Sequence, residues 1–305
     1  MASSLSFDKI GKKNGNNNLL ADLSFGVEKG EILFILGKND SGKSTLFKIL
    51  MGLIQKDKGK IFVNGMDYDL RKTEILPLIG YMPQKDSFDY DLNVFDNLSF
   101  YAQLNGLNKN DAKKNIFQWS DKLNLRKYLK YHIKDISKGI LKKISFIRAL
   151  IHNPEFLLLD NPTSEMDAYD RDKFFDIINQ IKKDKTILII SNNFREAEIH
   201  SDRIIIIHNA SVCLNGNMKN ILDAMRTIYK YRISFKRSVP IDFLKKMKEN
   251  KSIIKLISRE RHIECSVYEE SIFLKIIKAA FEYDLVSIKT ISSKLNDIFL
   301  RVTEK

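Results

Sequence analysis

The stretch "GKNDSGKST" at residues 37–45 sets two glycines, a lysine, a serine and a threonine in the spacing G-x-x-x-x-G-K-[ST]. Such a loop suits phosphate chemistry. Gly37 and Gly42 let backbone amides wrap an anion, with Lys38, Asn39, Asp40 and Ser41 forming the turn between them. Lys43 reaches terminal phosphates, Ser44 offers a hydroxyl to a magnesium ion, and Thr45 lies where a helix N-terminus favours negative charge. A second group closes the apolar run "FLLLD": Asp160, a strand-terminal carboxylate able to hold the same ion directly or through water. A nucleotide-hydrolysing site normally places another carboxylate immediately after it, but this chain has Asn161. An amide orients water without any accessible basicity.

These groups need strands to present them. Alternation over residues 23–27, a Lys29-Gly30 turn and the apolar run Ile32–Leu36 predict a hairpin leading into a buried strand, with an amphipathic helix over 44–53 after the glycine loop. "GKIFVNGMDYD" adds a strand and an Asn64-Gly65 turn. "KNIFQWSDKLNL" and "KGILKKISFIRALIHN" are helical by periodicity. "FLLLD", "TILIIS" and "DRIIIIH" are short branched apolar runs of the kind buried in a largely parallel sheet. Strands separated by helices predict an α/β domain to about residue 220. Beyond it, "YRISFKR", "SIIKLIS" and "IECSVY" alternate as strands, "PIDFLKKMKEN" and "EESIFLKIIKAAFEY" are helical, and "KLNDIFLRVTEK" closes a small α+β module.

The whole chain agrees with two unequal domains, since its 305 residues exceed what one core usually serves. With 44% apolar and 29% charged residues, and only 13 Gly and 5 Pro, disorder is expected at the ends alone. Cys213 and Cys265 lie far apart in sequence, so neither a disulfide framework nor a cysteine metal site is indicated. The N-terminal segment lacks the apolar core of a signal peptide, and no later run reaches the roughly eighteen apolar residues of a membrane span. A soluble chain in a reducing compartment is expected. The net charge of +13 fits nucleic acid, an anionic membrane surface or an acidic partner without choosing among them, and an Asn/Lys/Ile-rich composition also comes from a biased genome. The basic stripes of the tail lack the interleaved exposed aromatics of a single-strand platform, so nucleic acid is not favoured.

The order of motifs over Leu19 to about Gly216 resembles the ATP-binding-cassette (ABC) ATPases, the nucleotide-binding subunits of ABC transporters. "YMPQKDSFDYD" resembles the family's Q-loop region, which puts Gln84 at the magnesium and near the transmembrane partner. "ISKGI" occupies the place of the signature LSGGQ, keeping Ser137 and Gly139, the residues that meet a nucleotide across the dimer. "SEMD", ending in Asp167, occupies the D-loop, and "SNNFREAE" the switch region. The tail resembles the accessory domain of exporter ATPases. The implied fold is an α/β ABC-type nucleotide-binding domain over 1–222, with its helical subdomain at about 88–153, followed by an accessory α+β domain over 223–305.

The departures from the family pattern concentrate at the chemistry. Asn161 replaces the glutamate that polarises attacking water, a loss that ordinarily costs about 10² to 10⁴ in rate. Asn192 stands at the switch histidine. Lys138 replaces the signature's first glycine and either attracts a γ-phosphate or obstructs the backbone approach. Counting back from "LADLSF" puts Asn14 where the family stacks an aromatic ring on adenine, with Phe7 as a substitute if the loop is routed differently. The resemblance implies ATP and Mg²⁺ as cofactors, Ser44, Gln84 and Asp160 as metal contacts, and Ser137 and Gly139 acting in trans. It further implies a second ABC ATPase subunit, with an intact partner favoured and a homodimer as the alternative, and separate permease subunits that hold the protein on the inner face of the cell membrane. A slow homodimeric ATPase and a non-transport regulatory ABC protein are the rival readings.

Overall fold

The computed structural model describes residues 3–224, 229–250, 252–267, 270–290, 295–296 and 298–299. They fall into two compact units, one of residues 1–193 and 200–215 and the other of 194–199 and 216–305. The division therefore lies a little before the expected 222, and a short piece of the switch region groups with the second unit.

In the first unit, strands β1 (Leu5–Asn14), β2 (Asn17–Val27), β4 (Lys58–Val63) and β5 (Met66–Asp67) form a sheet of order β2-β1-β4-β5. A second sheet runs β10-β9-β3-β8-β7-β6, from β3 (Ile32–Leu36), β6 (Ile79–Met82), β7 (Phe156–Asp160), β8 (Thr186–Ile190), β9 (Arg203–His208) and β10 (Ser211–Gly216). The pairs β3–β8, β3–β9, β6–β7 and β7–β8 are all parallel. Strands β3, β7 and β8 are buried at every position, as continuous apolar runs in a parallel sheet should be. Helix α1 (Lys43–Leu50) puts Leu46, Phe47, Ile49 and Leu50 into the same core as Leu23 and Ile61 of the first sheet and Leu33 and Leu158 of the second.

This arrangement corrects two expectations. Residues 23–27 do not form a hairpin with β3, because β2 pairs antiparallel with β1, from Leu5↔Val27 to Asn14↔Asn17. The N-terminal segment is thus a strand. Its Phe7 is 3% exposed and packs on Phe25 with ring centroids 4.7 Å apart, so it is core and unavailable to a nucleotide. The Asn64-Gly65 turn does join β4 to β5, with both residues at positive φ (49° and 76°).

Between the outer strands lie α2 (Lys72–Ile75), α3 (Val94–Leu104), α4 (Lys109–Lys122), α5 (Lys138–Leu150) and α6 (Ala168–Ile181). Asn93, Asn108 and Asp167 cap α3, α4 and α6, each accepting a backbone N–H three residues on.

The second unit contains residues 194–199 of α7 (Phe194–His200), together with α8 (Met218–Ala224), α9 (Ile241–Glu249), α10 (Glu270–Ala280) and strands β11 (Tyr229–Phe235), β12 (Ile253–Ser258), β13 (His262–Val267) and β14 (Leu285–Thr290). The sheet order β12-β13-β11-β14 in a β-α-β-β-α-β chain is the ferredoxin-like pattern. Its core holds Ile233, Phe243, Ile263 and Ile276. The strand β14 was not signalled by the sequence reading. Much of "KLNDIFLRVTEK" lies outside the described residues, but Phe299 packs on Phe194 at 4.9 Å, and the Leu295 N–H donates to Glu198 Oε1.

Candidate functional site

Three parallel strands end together. Ile35 of β3 and Asp160 of β7 are both in register with Ile190 of β8, so the segments following them leave the sheet side by side. The crevice beyond the carboxyl ends of such strands is where open α/β sheets bind ligands. Here it is a cleft of about 530 Å³.

The glycine loop forms one wall. Gly42, at φ 95°, caps α1, and a Cβ there would fall 2.1 Å from the Leu19 carbonyl oxygen. At Gly37 a Cβ would fall 2.4 Å from the Ile207 oxygen. Only glycine fits at these close approaches. Lys43 is buried, and its Nζ donates to the carbonyls of Gly37 (2.9 Å) and Lys38 (2.6 Å) and to Ser41 Oγ (3.3 Å). Burial lowers its pKa, while the nearby carboxylates of Asp160 and Asp40 oppose that shift. Asn39, Asp40, Ser41, Ser44 and Thr45 also line the cleft. Asp40 holds a left-handed backbone, φ 62°.

Asp160 is 1% exposed, and burial raises its pKa against the hydrogen bonds of Ser44 and Asn161 and the charge of Lys43. A buried carboxylate joined to a serine hydroxyl is a pair of hard oxygens suited to a magnesium-like cation, and Gln84 adds an amide oxygen on the same cleft. Asn161 lines the cleft at φ 49°, a left-handed conformation that asparagine tolerates, and its Nδ2 donates to Asp160 Oδ1 at 3.2 Å. Asn192 lines it too, its Nδ2 donating to Asn39 Oδ1 at 3.0 Å. The structure therefore brings both asparagines to the mouth of the phosphate loop.

Three expected residues lie elsewhere. Ser137 is the exposed N-cap residue of α5, and Gly139 packs so closely that a Cβ would meet the Glu165 carbonyl oxygen at 2.8 Å. Neither lines this chain's own cleft, and any nucleotide contact they make must be to another subunit. Asn14 ends β1 at the turn into β2 and does not line the cleft either; Leu19 does.

The sequence reading missed what holds Gln84. Lys142 and Asp86 form a buried ion pair at 3.3 Å, with side chains 5% and 7% exposed, and Lys142 Nζ also donates to the Gln84 carbonyl at 2.6 Å. Arg148, likewise on α5, donates to the Ser87 carbonyl at 2.9 Å and lies over the Phe88 ring at 4.5 Å. Helix α5 thus holds the Gln84 segment at successive points, Gln84 through Lys142 and Ser87 and Phe88 through Arg148. "LKKISFIR" reads as amphipathic helix, and nothing in that periodicity reveals a lysine turned inward.

The comparisons agree with this geometry. A family profile described as ABC transporter matches residues 20–164. The ABC transporter ATP-binding protein NatA of Bacillus subtilis is 32% identical over 68% of this chain and 85% of its own length. The uncharacterized ABC transporter ATP-binding protein MJ1023 of Methanocaldococcus jannaschii is 32% identical over 75% and 83% respectively. Among solved structures, the dimeric bacterial ABC transporter cassette MJ0796 superposes with a TM-score of 0.65 at 20% identity, covering 70% of this chain and 98% of that one. No described helix is long and apolar enough to cross a membrane.

Proposed function

The chain belongs to the ABC transporter ATP-binding proteins, and on that premise we propose that it is the MgATP-holding subunit of a multi-component exporter, with weak hydrolysis of its own. The observation that carries this reading is the split within one cleft. The buried Asp160 is hydrogen-bonded to Ser44 and faces the charge of the buried Lys43, whereas Asn161 and Asn192 occupy the positions beside them where a base and a switch cation are needed.

In this reading the loop amides and Lys43 bind the phosphates, while Ser44, Asp160 and Gln84 hold magnesium, which supplies charge neutralisation when bound. Asn161 and Asn192 orient water or phosphate by hydrogen bonds and accept no proton. On the same reading Ser137 and Gly139 cap a nucleotide held by a hydrolytically competent second ATPase, with separate permease subunits beneath; the dimeric form of the MJ0796 cassette supports the pairing of two cassettes alone.

Lys43→Ala should weaken magnesium-dependent ATP binding at least about tenfold by calorimetry, through loss of a charge-assisted phosphate contact. Reconstituted with its genomic partner and permease, Ser137→Arg should depress the complex's hydrolysis while ATP still binds this chain's own cradle. Unchanged activity in both variants would sink the asymmetric arrangement and favour a regulatory protein.

A further inference from the structure

Positive charge is spread unevenly over this chain. Residues 109–134, comprising α4 and the connection that follows it, carry eight lysines and arginines against two carboxylates, a net +6 out of +13 for the whole protein. All eight are exposed. Arg126 pairs with Asp121 at 3.1 Å, while Asp111 is taken up by its bond from Asn108 in the cap of α4. The other seven cations pair with no carboxylate among the described residues. Elsewhere in the same unit Lys12, Lys56 and Lys143 each meet an aspartate within 3 Å. Crowded like charges without counter-charges oppose folding, and an external anion relieves that repulsion.

The cations are also held in place by rings. Arg126 lies 3.7 Å from the centroid of Phe117, Lys122 lies 4.7 Å over Trp119, and Lys127 lies 5.0 Å over Tyr128. Phe117 packs in turn on Phe95 of α3, with centroids 5.9 Å apart. The amides of Val94 and Phe95 donate to the carbonyls of Tyr131 and Leu129, which fixes the connection against the start of α3. The result is a firm face with cations outward and rings beneath. Nucleic-acid bases stack on open ring faces, and these are already covered by the chain's own cations, so a single strand is disfavoured. Phosphate groups meet no such obstacle. Tyr131, 51% exposed and packed on Tyr128, adds the amphipathic ring that suits a membrane–water boundary.

We propose that this face docks on the anionic phospholipid headgroups of a membrane surface. Helix α4 turns lysine, asparagine and glutamine to solvent, so the contact reaches headgroups and not acyl chains. A cluster of this size on a helix is enough to hold a protein to an anionic leaflet. The choice of lipid over other polyanions rests on the proposed permease partnership, which keeps the chain beside a bilayer.

The test is co-sedimentation of the full-length protein with vesicles of phosphatidylcholine, alone or with about 30% phosphatidylglycerol, at about 0.1 M and about 0.5 M salt. Binding should require phosphatidylglycerol and be lost at the higher salt. Lys113→Gln, Lys114→Gln, Lys122→Gln and Lys127→Gln combined should weaken it at least about thirtyfold, with melting and magnesium-dependent ATP binding unchanged. The same change at Lys245, Lys248, Lys255 and Lys278 of the second unit, which removes equal charge elsewhere, should cost less than about fivefold. Equal binding to neutral vesicles, no binding to anionic ones, or an equal loss in both fourfold variants would overturn the proposal. So would a duplex or single-stranded oligonucleotide that binds the unmodified protein more tightly than the vesicles and loses that binding in the first variant. The vesicles hold no permease and no nucleotide, so failure here leaves the ATP-holding reading, tested by Lys43→Ala, untouched.

Discussion

Two edges of one cleft have parted company. On the cradle edge, Gly37 and Gly42 sit where any Cβ would collide with backbone oxygen, and Lys43, Ser44 and Asp160 are linked by hydrogen bonds and charge. On the other edge, Asn161 and Asn192 each reach across to a cradle group, Asp160 and Asn39 respectively. The first edge is constrained by packing as well as by ligand, so a change there disturbs the fold. The second is constrained mainly by chemistry, and an amide fits it without disturbing anything. On the proposed reading binding and cleavage are separable: Gly37, Gly42 and Lys43 are fixed by the packing and hydrogen bonds of the loop itself, whereas Asn161 and Asn192 are attached through side-chain amide bonds to Asp160 and Asn39.

The largest effect should come from the support beneath the cradle. Lys142→Ala takes the ion-pair partner from the buried Asp86, whose Oδ1 already lacks a hydrogen bond and which keeps the nearby charge of Arg148, and should destabilise the protein by about 3–5 kcal/mol in denaturant unfolding. A loss below about 1 kcal/mol would mean that the Gln84 segment is held by Arg148 alone.

A smaller effect follows from the charge on Lys43. Burial keeps its free-state pKa below the ordinary ammonium value, and a bound triphosphate raises it again. Between those two values binding takes up a proton, so affinity should fall as pH rises from the lowered value towards the ordinary ammonium value. Calorimetry in buffers of different ionisation enthalpy reads the uptake directly. Asp160 has the opposite charge type: burial raises its pKa, so the ionised carboxylate costs stability in the empty protein. That cost is relieved as pH falls through the raised value.

The smallest effect should be that of Asn192→Ala. It removes one hydrogen bond, to Asn39, worth about 0.5–1.5 kcal/mol, and should change ATP affinity by less than about tenfold. A loss as large as that of Lys43→Ala would erase the distinction between the two edges.

The cradle was legible in the sequence because its physics is local. Glycine spacing, a preceding apolar strand and a following amphipathic helix all fall within one short stretch, and Asp160 is marked by the strand it ends. The partners of β2 were not legible, because alternation gives a strand its faces but not its neighbour, and the turn at Gly30 suited a hairpin equally well. Leu19 entered the site only through folding, when the backbone of β2 came up against Gly42. Lys142 was invisible for a related reason. A lysine on a helix reads as solvated until the fold supplies Asp86 and the Gln84 carbonyl.

The most direct test of separable binding and cleavage measures ATP affinity and single-turnover hydrolysis on the same preparations of the unmodified protein and of Asn161→Glu combined with Asn192→His. Glutamate at the left-handed position 161 should cost about 1–2 kcal/mol of stability, which a melting curve taken alongside will register. The account predicts that the unmodified protein binds ATP but turns it over more slowly than about one per second, and that the double variant hydrolyses at least about tenfold faster with little change in affinity. Turnover by the unmodified protein in the ordinary enzyme range of about 1 to 10³ per second would contradict it.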